Sequence, residues 1–423
     1  MRFPLHRVNG RRYLADDAGR PFFLHGDVGW SMVAELRRED ADIYLKDRAG
    51  RGVTGVLVKL LEAYHASNAP RNAYGDGPFV GGRVDFRTPN DAYFAHFDWI
   101  VRRAEELGML VLAAPAYLGA EGRYAGFYQE MVAAGAARLR AYGQYLGRRY
   151  AQTQNLLWVM GGDYNPPEKD LVRAVAEGIR EGGSKGLMTA HTRAFTSAWE
   201  VWQGESWLNV NTVYTYGDVA AAARAEYARP DAMPFFLFES YYENERAYPD
   251  IPVVNNAPRH RQQAYEAILG GAFGHMFGSR PVWHFSGPGS QDYRAPDWRA
   301  GLDSPGARSM MRVREFFRPL EWWRLAPDLE GQFLRTPKQA PEAPTAAVAD
   351  DKSFGVAYAP RGGGLSINPA FAGPGASAAW VDPVDGRRVA IATGEGGAGG
   401  QVAPPGRNAG DDPDWLLLVR QSA

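Results

Sequence analysis

The sequence predicts a (β/α)8 barrel followed by a small all-β domain. Short apolar runs rich in Val, Leu and Phe alternate with longer segments of helical periodicity, which is the pattern of a parallel sheet built from βα units. The predicted strands are 22–25, 53–60, 109–114, 156–160, 187–191, 208–214, 234–239 and 276–283, and the predicted helices are 39–50, 90–107, 127–151, 168–183, 195–203, 218–228, 258–272 and 305–318. Eight strands and eight helices in alternation are typical of this barrel. Beyond Pro327 the helical periodicity ends, and short alternating segments separated by Gly and Pro indicate β structure.

An open doubly wound sheet is the alternative to a barrel. The Gly-rich phosphate-binding turn that a nucleotide-binding sheet carries after its first strand is missing here. We therefore expect a barrel domain over residues 1–327 and a small β domain over 328–423. In the second domain we predict strands at 355–359, 364–368, 378–381, 388–392 and 415–419, with a turn at 382–386.

Composition and charge narrow the function classes. The 423 residues include 47 Lys and Arg against 48 Asp and Glu, so no basic excess indicates a nucleic-acid partner. The absence of Cys excludes disulfides, thiolate metal sites and cysteine nucleophiles. No apolar run reaches the roughly 18 residues of a membrane span, so we expect no membrane partner. The first residues lack the apolar stretch of a signal peptide, which predicts a cytoplasmic protein as the sequence stands, or a periplasmic or secreted one if a leader has been removed.

Three motifs resemble known sites but lack the required context. Residues 182–186 match G-x-S-x-G, yet Ser184 follows a predicted helix and precedes a strand, the reverse of a nucleophile elbow. Residues 394–399 match G-x-G-x-x-G, but no helix follows to bind a phosphate, which favours a loop. The eight His residues form neither an H-x-H pair nor an H-E-x-x-H motif. We therefore expect no metal and no cofactor.

Two acids stand at the C-terminal ends of predicted strands, where a barrel carries its active site. Asp163 follows the fourth strand and Glu239 ends the seventh, each after five or more apolar or small residues. A single acid in such a position could equally cap a loop amide, but two on opposite sides of the mouth favour catalysis. Glycoside hydrolysis with retention needs a protonated carboxyl and an ionised one about 5 Å apart. We predict Asp163 as the acid/base and Glu239 as the nucleophile; which of them holds the proton at rest depends on burial.

The two acids and the segments around them resemble the retaining glycosidase clan of (β/α)8 barrels and, within it, the apiosidase-like family. The resemblance rests on segments 19–24 and 26–31, on Trp-Val-Met-Gly-Gly-Asp at 158–163 and on Phe-Glu-Ser-Tyr-Tyr-Glu at 238–243. Segments 356–360 and 380–386 are similar to the β domain, named as collagen-binding, that follows the barrel in this family. The resemblance implies hydrolysis of a bond to a sugar, the branched pentose apiose of plant pectin in characterised relatives, with the same two catalytic roles. Most of the wider clan carries Asn-Glu where this chain has Gly162-Asp163.

Further residues are expected to line the same mouth, because a sugar pocket pairs aromatic faces with hydrogen-bonding groups. Lys59 could instead pair with a strand-end carboxylate such as Asp27, which could itself be a helix cap. Trp30 and Trp283 could be core residues. The long connection 62–89, which includes His65, Asn68, Asn72 and Tyr74, is expected to set specificity. The predicted substrate-binding residues are Asp27, Trp30, Lys59, Tyr117, His191, Tyr214 and Trp283.

The leading hypothesis is a retaining glycoside hydrolase that acts on a plant or microbial polysaccharide side chain without a cofactor. A barrel that binds an oligo- or polysaccharide without cleaving it is the second hypothesis, with the β domain as its anchor. A metal-dependent hydrolase is the third. The presence of both carboxylates favours the first hypothesis over the second, and the missing His pairs disfavour the third.

Overall fold

The computed structural model describes residues 2–245, 256–288, 296–335, 342–392 and 399–422, and its centre is a parallel eight-stranded barrel. A small antiparallel sheet precedes the barrel and consists of β1 (Leu5–Arg7), β2 (Leu14–Asp16) and β3 (Pro21–Phe22). The barrel strands are β4 (Leu24–Val28), β5 (Gly55–Lys59), β6 (Leu110–Ala114), β7 (Leu156–Gly161), β8 (Leu187–His191), β9 (Asn211–Tyr214), β10 (Phe235–Glu239) and β11 (Gly274–Phe277).

The barrel is nearly closed, and this confirms the predicted fold class. Its strands are hydrogen-bonded in the order β8-β7-β6-β5-β4-β11-β10-β9. At the remaining seam, the Val210 N–H donates to the Met188 carbonyl oxygen at 3.2 Å. The Thr189 hydroxyl donates to the Val210 carbonyl oxygen at 2.7 Å beside it. The seam between β8 and β9 is therefore bridged by single bonds rather than by a regular ladder.

Helices cover the outside of the barrel at the predicted places. The predicted helix 127–151 is two helices, because Gly135 adopts a φ of 75° that a continuous helix does not allow. No helix in the described ranges is long and apolar enough to cross a lipid bilayer. The helices are α1 (Met32–Glu35), α2 (Arg38–Gly50), α3 (Asp91–Glu106), α4 (Tyr128–Ala134), α5 (Ala136–Arg149), α6 (Lys169–Glu181), α7 (Ala198–Trp202), α8 (Val219–Tyr227), α9 (Ala257–Leu269), α10 (Trp298–Gly301) and α11 (Pro305–Phe317).

Most predicted barrel strands differ from the observed ones by a few residues at their ends, and the first and last of them differ in ways that affect the site. The first strand is 24–28 rather than 22–25, because 21–22 pairs with β2 in the preceding sheet. The last strand ends at Phe277 rather than at Trp283. Pro281 has no N–H to give to a strand ladder and lies in a turn instead. These shifts change where Asp27 and Trp283 lie relative to the barrel mouth.

The C-terminal region is antiparallel β structure. The strands are β12 (Leu325–Pro327), β13 (Thr345–Ala349), β14 (Phe354–Ala359), β15 (Leu365–Ile367), β16 (Ser377–Val381), β17 (Arg388–Ile391), β18 (Gly400–Val402) and β19 (Trp415–Arg420). One sheet has the order β12-β13-β14-β19-β16-β17, and β15 pairs with β18. The predicted turn joins β16 and β17, where Asp382 accepts from the Val384 N–H at 2.8 Å and Gly386 has a φ of 81°. The Gly-rich stretch 394–399 lies outside the described residues except for Gly399.

The barrel and the C-terminal sheet share one buried core. The rings of Tyr265 on α9 and Tyr358 on β14 stack with centroids 5.0 Å apart. Beside them, the buried Arg261 guanidinium binds the buried Asp414 carboxylate through Nε at 2.6 Å, and Asp412 through Nη2 at 2.8 Å. Because both charges of the Arg261–Asp414 pair are removed from water, each depends on the other for compensation.

We expect Arg261→Met to lower the free energy of unfolding by about 3–5 kcal/mol, because it leaves the buried Asp414 carboxylate with hydrogen bonds from Tyr358 and Asn408 but without a cation. Urea denaturation of the purified protein measures this difference. The matched control is Arg407→Met, which removes an exposed arginine that pairs with Asp411 in the same segment of the chain. Exposed pairs contribute little, so the control should unfold like the wild type. Equal unfolding curves for Arg261→Met and the wild type would contradict this reading of the junction.

Candidate active site

A pocket of about 240 Å3 opens at the C-terminal ends of the barrel strands. Both predicted catalytic carboxyls, Asp163 and Glu239, line it. Four of the predicted binding residues line it as well: Trp30, Lys59, Tyr117 and Trp283. A larger cavity of about 310 Å3 lies at the opposite end, among the first residues of β6, β7 and β8. Barrel active sites occupy the C-terminal face, so the smaller pocket is the candidate site.

Two glycines before Asp163 allow the backbone path that places its carboxyl in the pocket. A Cβ on Gly161, whose φ is 80°, would lie 2.5 Å from the His191 carbonyl oxygen, and a Cβ on Gly162 would lie 2.4 Å from the Leu118 nitrogen. The backbone therefore passes between the loops that follow β6 and β8, a close approach that only glycine permits. Its path is fixed by the Gly162 N–H, which donates to the His191 carbonyl at 3.1 Å. This explains why a Gly-Gly pair precedes the acid.

Glu239 reaches the pocket through an irregularity in β10. Phe236 and Phe238 belong to the interior core, whereas Phe235 and Leu237 pack against the outer helices. Strict alternation would therefore turn Glu239 outward. The pairing with β9 shifts between Leu237 and Glu239, which sets Glu239 opposite Tyr214. A bulge of this kind re-aims a side chain, and here it turns the carboxyl inward.

The two carboxyls have raised pKa values. Burial raises the pKa of Asp163 to about 6, while Tyr214 and the Ala194 N–H act in the opposite direction. Burial and the nearby charge of Asp163 raise the pKa of Glu239 to about 8. Because the groups interact, these two steps belong to the pair. Between about pH 6 and pH 8 the pair holds one proton, and the higher pKa places that proton mainly on Glu239.

Tyrosines and a histidine surround Glu239. Tyr216 donates to Glu239 Oε1 at 2.9 Å and lies 3.1 Å from the Tyr214 hydroxyl. The His191 Nε2 lies 3.5 Å from Glu239 Oε2, and the His191 ring stacks against Trp30. Burial, together with the charge of Lys59, lowers the pKa of His191 to about 3, so this ring is neutral. Tyr214 bonds to Asp163, and His191 lies beside Glu239. Neither Tyr214 nor His191 lines the pocket itself, although both were predicted to bind substrate.

Lys59 forms a buried ion pair, but with Glu62 rather than Asp27. Its ammonium lies 3.4 Å from Glu62 Oε2 and 4.5 Å from the centre of the Tyr117 ring. The Glu62 carboxylate also accepts from the Ser31 hydroxyl at 2.9 Å and from the N–H groups of Tyr64 and His65. Burial alone would raise the pKa of Glu62, yet the charges of Lys59 and His65 and the N–H groups of Tyr64 and His65 lower it well below its usual range. Glu62 anchors the start of the 62–89 connection at the pocket floor.

Asp27 lies away from the pocket. It is inside β4, where alternation turns Leu24 and Val28 inward and Asp27 toward α2. There it accepts from the Tyr44 hydroxyl at 2.6 Å and pairs with Arg48 at 3.5 Å. The structure therefore gives Asp27 a role in strand-to-helix packing, neither a substrate contact nor a helix cap. Trp283 reaches the pocket from the turn after β11, where its Nε1 donates to Glu245 Oε2 at 2.9 Å.

Several residues that line the pocket are not among those predicted from the sequence. Tyr214 was predicted because it ends its strand. Tyr216 stands two residues further along the chain, so a period of two from Tyr214 could have predicted it as well. Tyr242 lies in the quoted motif after Glu239. His65 was named only as part of the long connection, of which Asn72 supports the loop and Tyr74 is exposed away from the pocket. The residues that line the pocket and were not among the predicted site residues are His65, Ala120, Tyr124, Ala125, Tyr216, Tyr242 and Glu245.

Comparison with known proteins agrees with this geometry. A barrel with two facing carboxyls at its C-terminal strand ends is the arrangement of barrel glycosidases. The family model described as apiosidase-like, catalytic domain, matches residues 8–324. The chain belongs to this family, and it is a glycoside hydrolase. Among the described residues, no group of three His, Asp or Glu side chains is arranged to hold a metal ion.

Solved structures share the fold. A glycoside hydrolase family 5 protein from Bacteroides vulgatus is 23% identical, with a TM-score of 0.85 over 99% of this chain and 93% of that one. A second structure, named only as a glycoside hydrolase, is 21% identical, with a TM-score of 0.85 over 99% of this chain and 97% of that one. A search of curated proteins found no match.

Proposed function

We propose that the protein removes a sugar from a plant or microbial polysaccharide side chain by a retaining mechanism. The observation that carries the proposal is geometric: the carboxyls of Asp163, just after β7, and Glu239, at the end of β10, line one pocket. Asp163 is the general acid and Glu239 is the nucleophile. The single proton of the pair, which the pKa order places on Glu239 before substrate binds, must therefore lie on Asp163 in the reactive complex.

The reaction has two balanced steps. In the first, the Asp163 carboxyl donates its proton to the glycosidic oxygen while a Glu239 oxygen attacks the anomeric carbon, and the leaving group departs as an alcohol. In the second, the Asp163 carboxylate takes a proton from water, whose oxygen attacks the anomeric carbon and releases Glu239. Hydroxyl groups of Tyr214, Tyr216 and Tyr242 lower the pKa of Glu239 and so favour its ionised form.

The pocket supports a small sugar at the site of cleavage. Its volume of about 240 Å3 is below the roughly 300–1,000 Å3 of most ligand pockets, which favours one sugar unit over a chain. Trp30, Tyr117 and Trp283 provide aromatic faces, and Lys59, His65 and Glu245 provide hydrogen-bonding groups. The family to which the chain belongs makes apiose the first sugar to test.

Wild-type protein is expected to release apiose from pectic oligosaccharides, with retention of the anomeric configuration. Release is measured by chromatography, and the configuration of the first product is read by proton NMR before it mutarotates. Oligosaccharides that carry arabinose or xylose in place of apiose serve as matched substrates. A product of inverted anomeric configuration would show that Glu239 is not the nucleophile. Release of another sugar, without release of apiose, would show that apiose is not the sugar that the enzyme removes.

A further inference from the structure

The position of the general acid indicates where the leaving group lies. The proton of Asp163 goes to the glycosidic oxygen, so the leaving group must lie on the Asp163 side of the anomeric carbon. Two loops form the protein surface there. The Ala194 N–H faces the Asp163 carboxyl and lowers its pKa, and the Glu121 N–H donates to the Asp163 backbone carbonyl at 3.1 Å. The loops around Ala194 and Glu121 are thus the walls next to the acid.

An exposed phenylalanine projects from the first of these loops. Phe195 is 60% exposed and has a φ of 65°, which a bulky side chain rarely adopts and which costs free energy. Its N–H donates to the Tyr214 carbonyl at 2.8 Å, and its ring centre lies 6.3 Å from that of Tyr216, which lines the pocket. The loop thus holds an apolar ring in a strained conformation beside the catalytic pair, with much of the ring in solvent.

The rest of the loop is well ordered by hydrogen bonds. The Thr192 hydroxyl donates to the Thr196 carbonyl at 2.8 Å, and the Arg193 N–H donates to Asn165 Oδ1 at 2.9 Å. Ser197 and Glu200 then form a capping box at the start of α7. A rigid support of this kind presents the ring of Phe195 without a large loss of conformational entropy on binding.

Charged groups stand at the edge of this surface. The Arg193 Nε lies 3.0 Å from Glu121 Oε1, and both side chains are more than half exposed. Such a pair contributes little to stability. Its N–H groups and carboxylate oxygens can instead bind hydroxyls beside an aromatic face, which is the combination that recognises a sugar ring.

We propose that Phe195, with Arg193 and Glu121 at its edge, forms the subsite for the leaving group, and that its occupant is a sugar ring of the polysaccharide. The apolar face of that ring stacks on Phe195, and its hydroxyls bind the charged pair. This inference rests on the proposed function, because it takes Asp163 as the acid. It assigns the specificity for the polymer to the loop after β8.

The test compares two substrates with the same sugar at the cleavage site. Both need the proton of Asp163, and they differ only in the leaving group. One is a pectic oligosaccharide with terminal apiose, and the other is methyl apioside, whose methanol leaving group has no ring. Phe195→Ala is expected to lower kcat/KM roughly five- to tenfold on the oligosaccharide, mainly through KM, and to leave kcat/KM on methyl apioside unchanged. Phe195→Trp should retain the activity on both. The control Leu329→Ala, which also removes a side chain that is 51% exposed, should match the wild type on both.

The outcomes separate the two proposals. Equal losses on both substrates, or no loss on either, would overturn the leaving-group subsite and leave the proposed function standing. A wild-type protein that cleaves neither substrate would overturn the proposed function, and the subsite with it. A loss on an apioside of a flat aromatic alcohol but not on the oligosaccharide would show that the occupant is an aromatic aglycone and not a sugar.

Discussion

Replacing Glu239 with Ala is expected to lower kcat on the natural substrate by roughly 10^4-fold or more, as happens when an enzyme loses its covalent nucleophile. Glu239 ends β10 at a bulge that turns it into the pocket, where Tyr216 donates to it at 2.9 Å. The substitution removes the oxygen that attacks the anomeric carbon in the proposed mechanism. Initial rates of sugar release by the two proteins measure the loss.

Azide tests whether Glu239 is the nucleophile. The small anion fits the space that the carboxylate leaves, so it should restore turnover of an activated glycoside by Glu239→Ala and give a glycosyl azide of inverted configuration, which NMR identifies. The matched control is Glu243→Ala, four residues along the chain. Glu243 is buried and accepts from the Gly306 N–H at 2.8 Å, so its loss affects packing and azide should not compensate for it. A Glu239→Ala protein with near wild-type activity would contradict the mechanism.

The barrel could be predicted from the sequence because its signals are local. Each strand is a short apolar run, and each main helix carries a periodic face between turn residues, so a window of a few residues contains the information. The strands missed in the C-terminal region lack such a signal. β13 reads Thr-Ala-Ala-Val-Ala, in which alanine has a low strand propensity, and β12 and β18 have three residues each.

The site was predicted less completely because it depends on register. Glu239 was expected to point inward, but alternation along β10 turns it outward, and only the bulge opposite β9 brings it into the pocket. The same alternation explains Asp27. A first strand that is taken to end at His25 leaves Asp27 on a loop at the mouth, whereas the strand that continues to Val28 turns it toward α2. A shift of three residues at one strand end therefore changed the assigned role.

Contacts between distant segments account for the remaining omissions. Glu62 follows β5 in a connection with no regular period, and its contact with Ser31, 31 positions away, depends on how that connection folds back. Glu245 reaches Trp283 across 38 positions of the chain. Neither residue belongs to a motif, so their places became evident only in three dimensions.

Asp163→Ala is expected to separate substrates by their leaving groups. For the natural substrate kcat should fall by roughly 10^2- to 10^4-fold, the usual contribution of a general acid. For a dinitrophenyl glycoside, whose leaving group needs no proton, the first step should proceed nearly as in the wild type. Azide should speed the second step and give a glycosyl azide of retained configuration, opposite to that from Glu239→Ala. The measurement is kcat/KM, which reports the first step. An equal loss of kcat/KM on both glycosides would contradict the role of Asp163 as the acid.

The pH dependence follows from the same pair. In the wild type kcat/KM should be bell-shaped with limbs near pH 6 and pH 8, because below the first step both carboxyls are protonated and above the second both are ionised. In Asp163→Ala, assayed with the dinitrophenyl glycoside, the alkaline limb should disappear, since no acid is required. The acidic limb should remain, at a pH set by Glu239 without the charge of Asp163, which otherwise raises the pKa of Glu239. The control is Asp27→Asn, which removes a buried acid outside the pocket and should keep both limbs of the profile. An alkaline limb that persists in Asp163→Ala would show that a group other than Asp163 donates the proton to the leaving group.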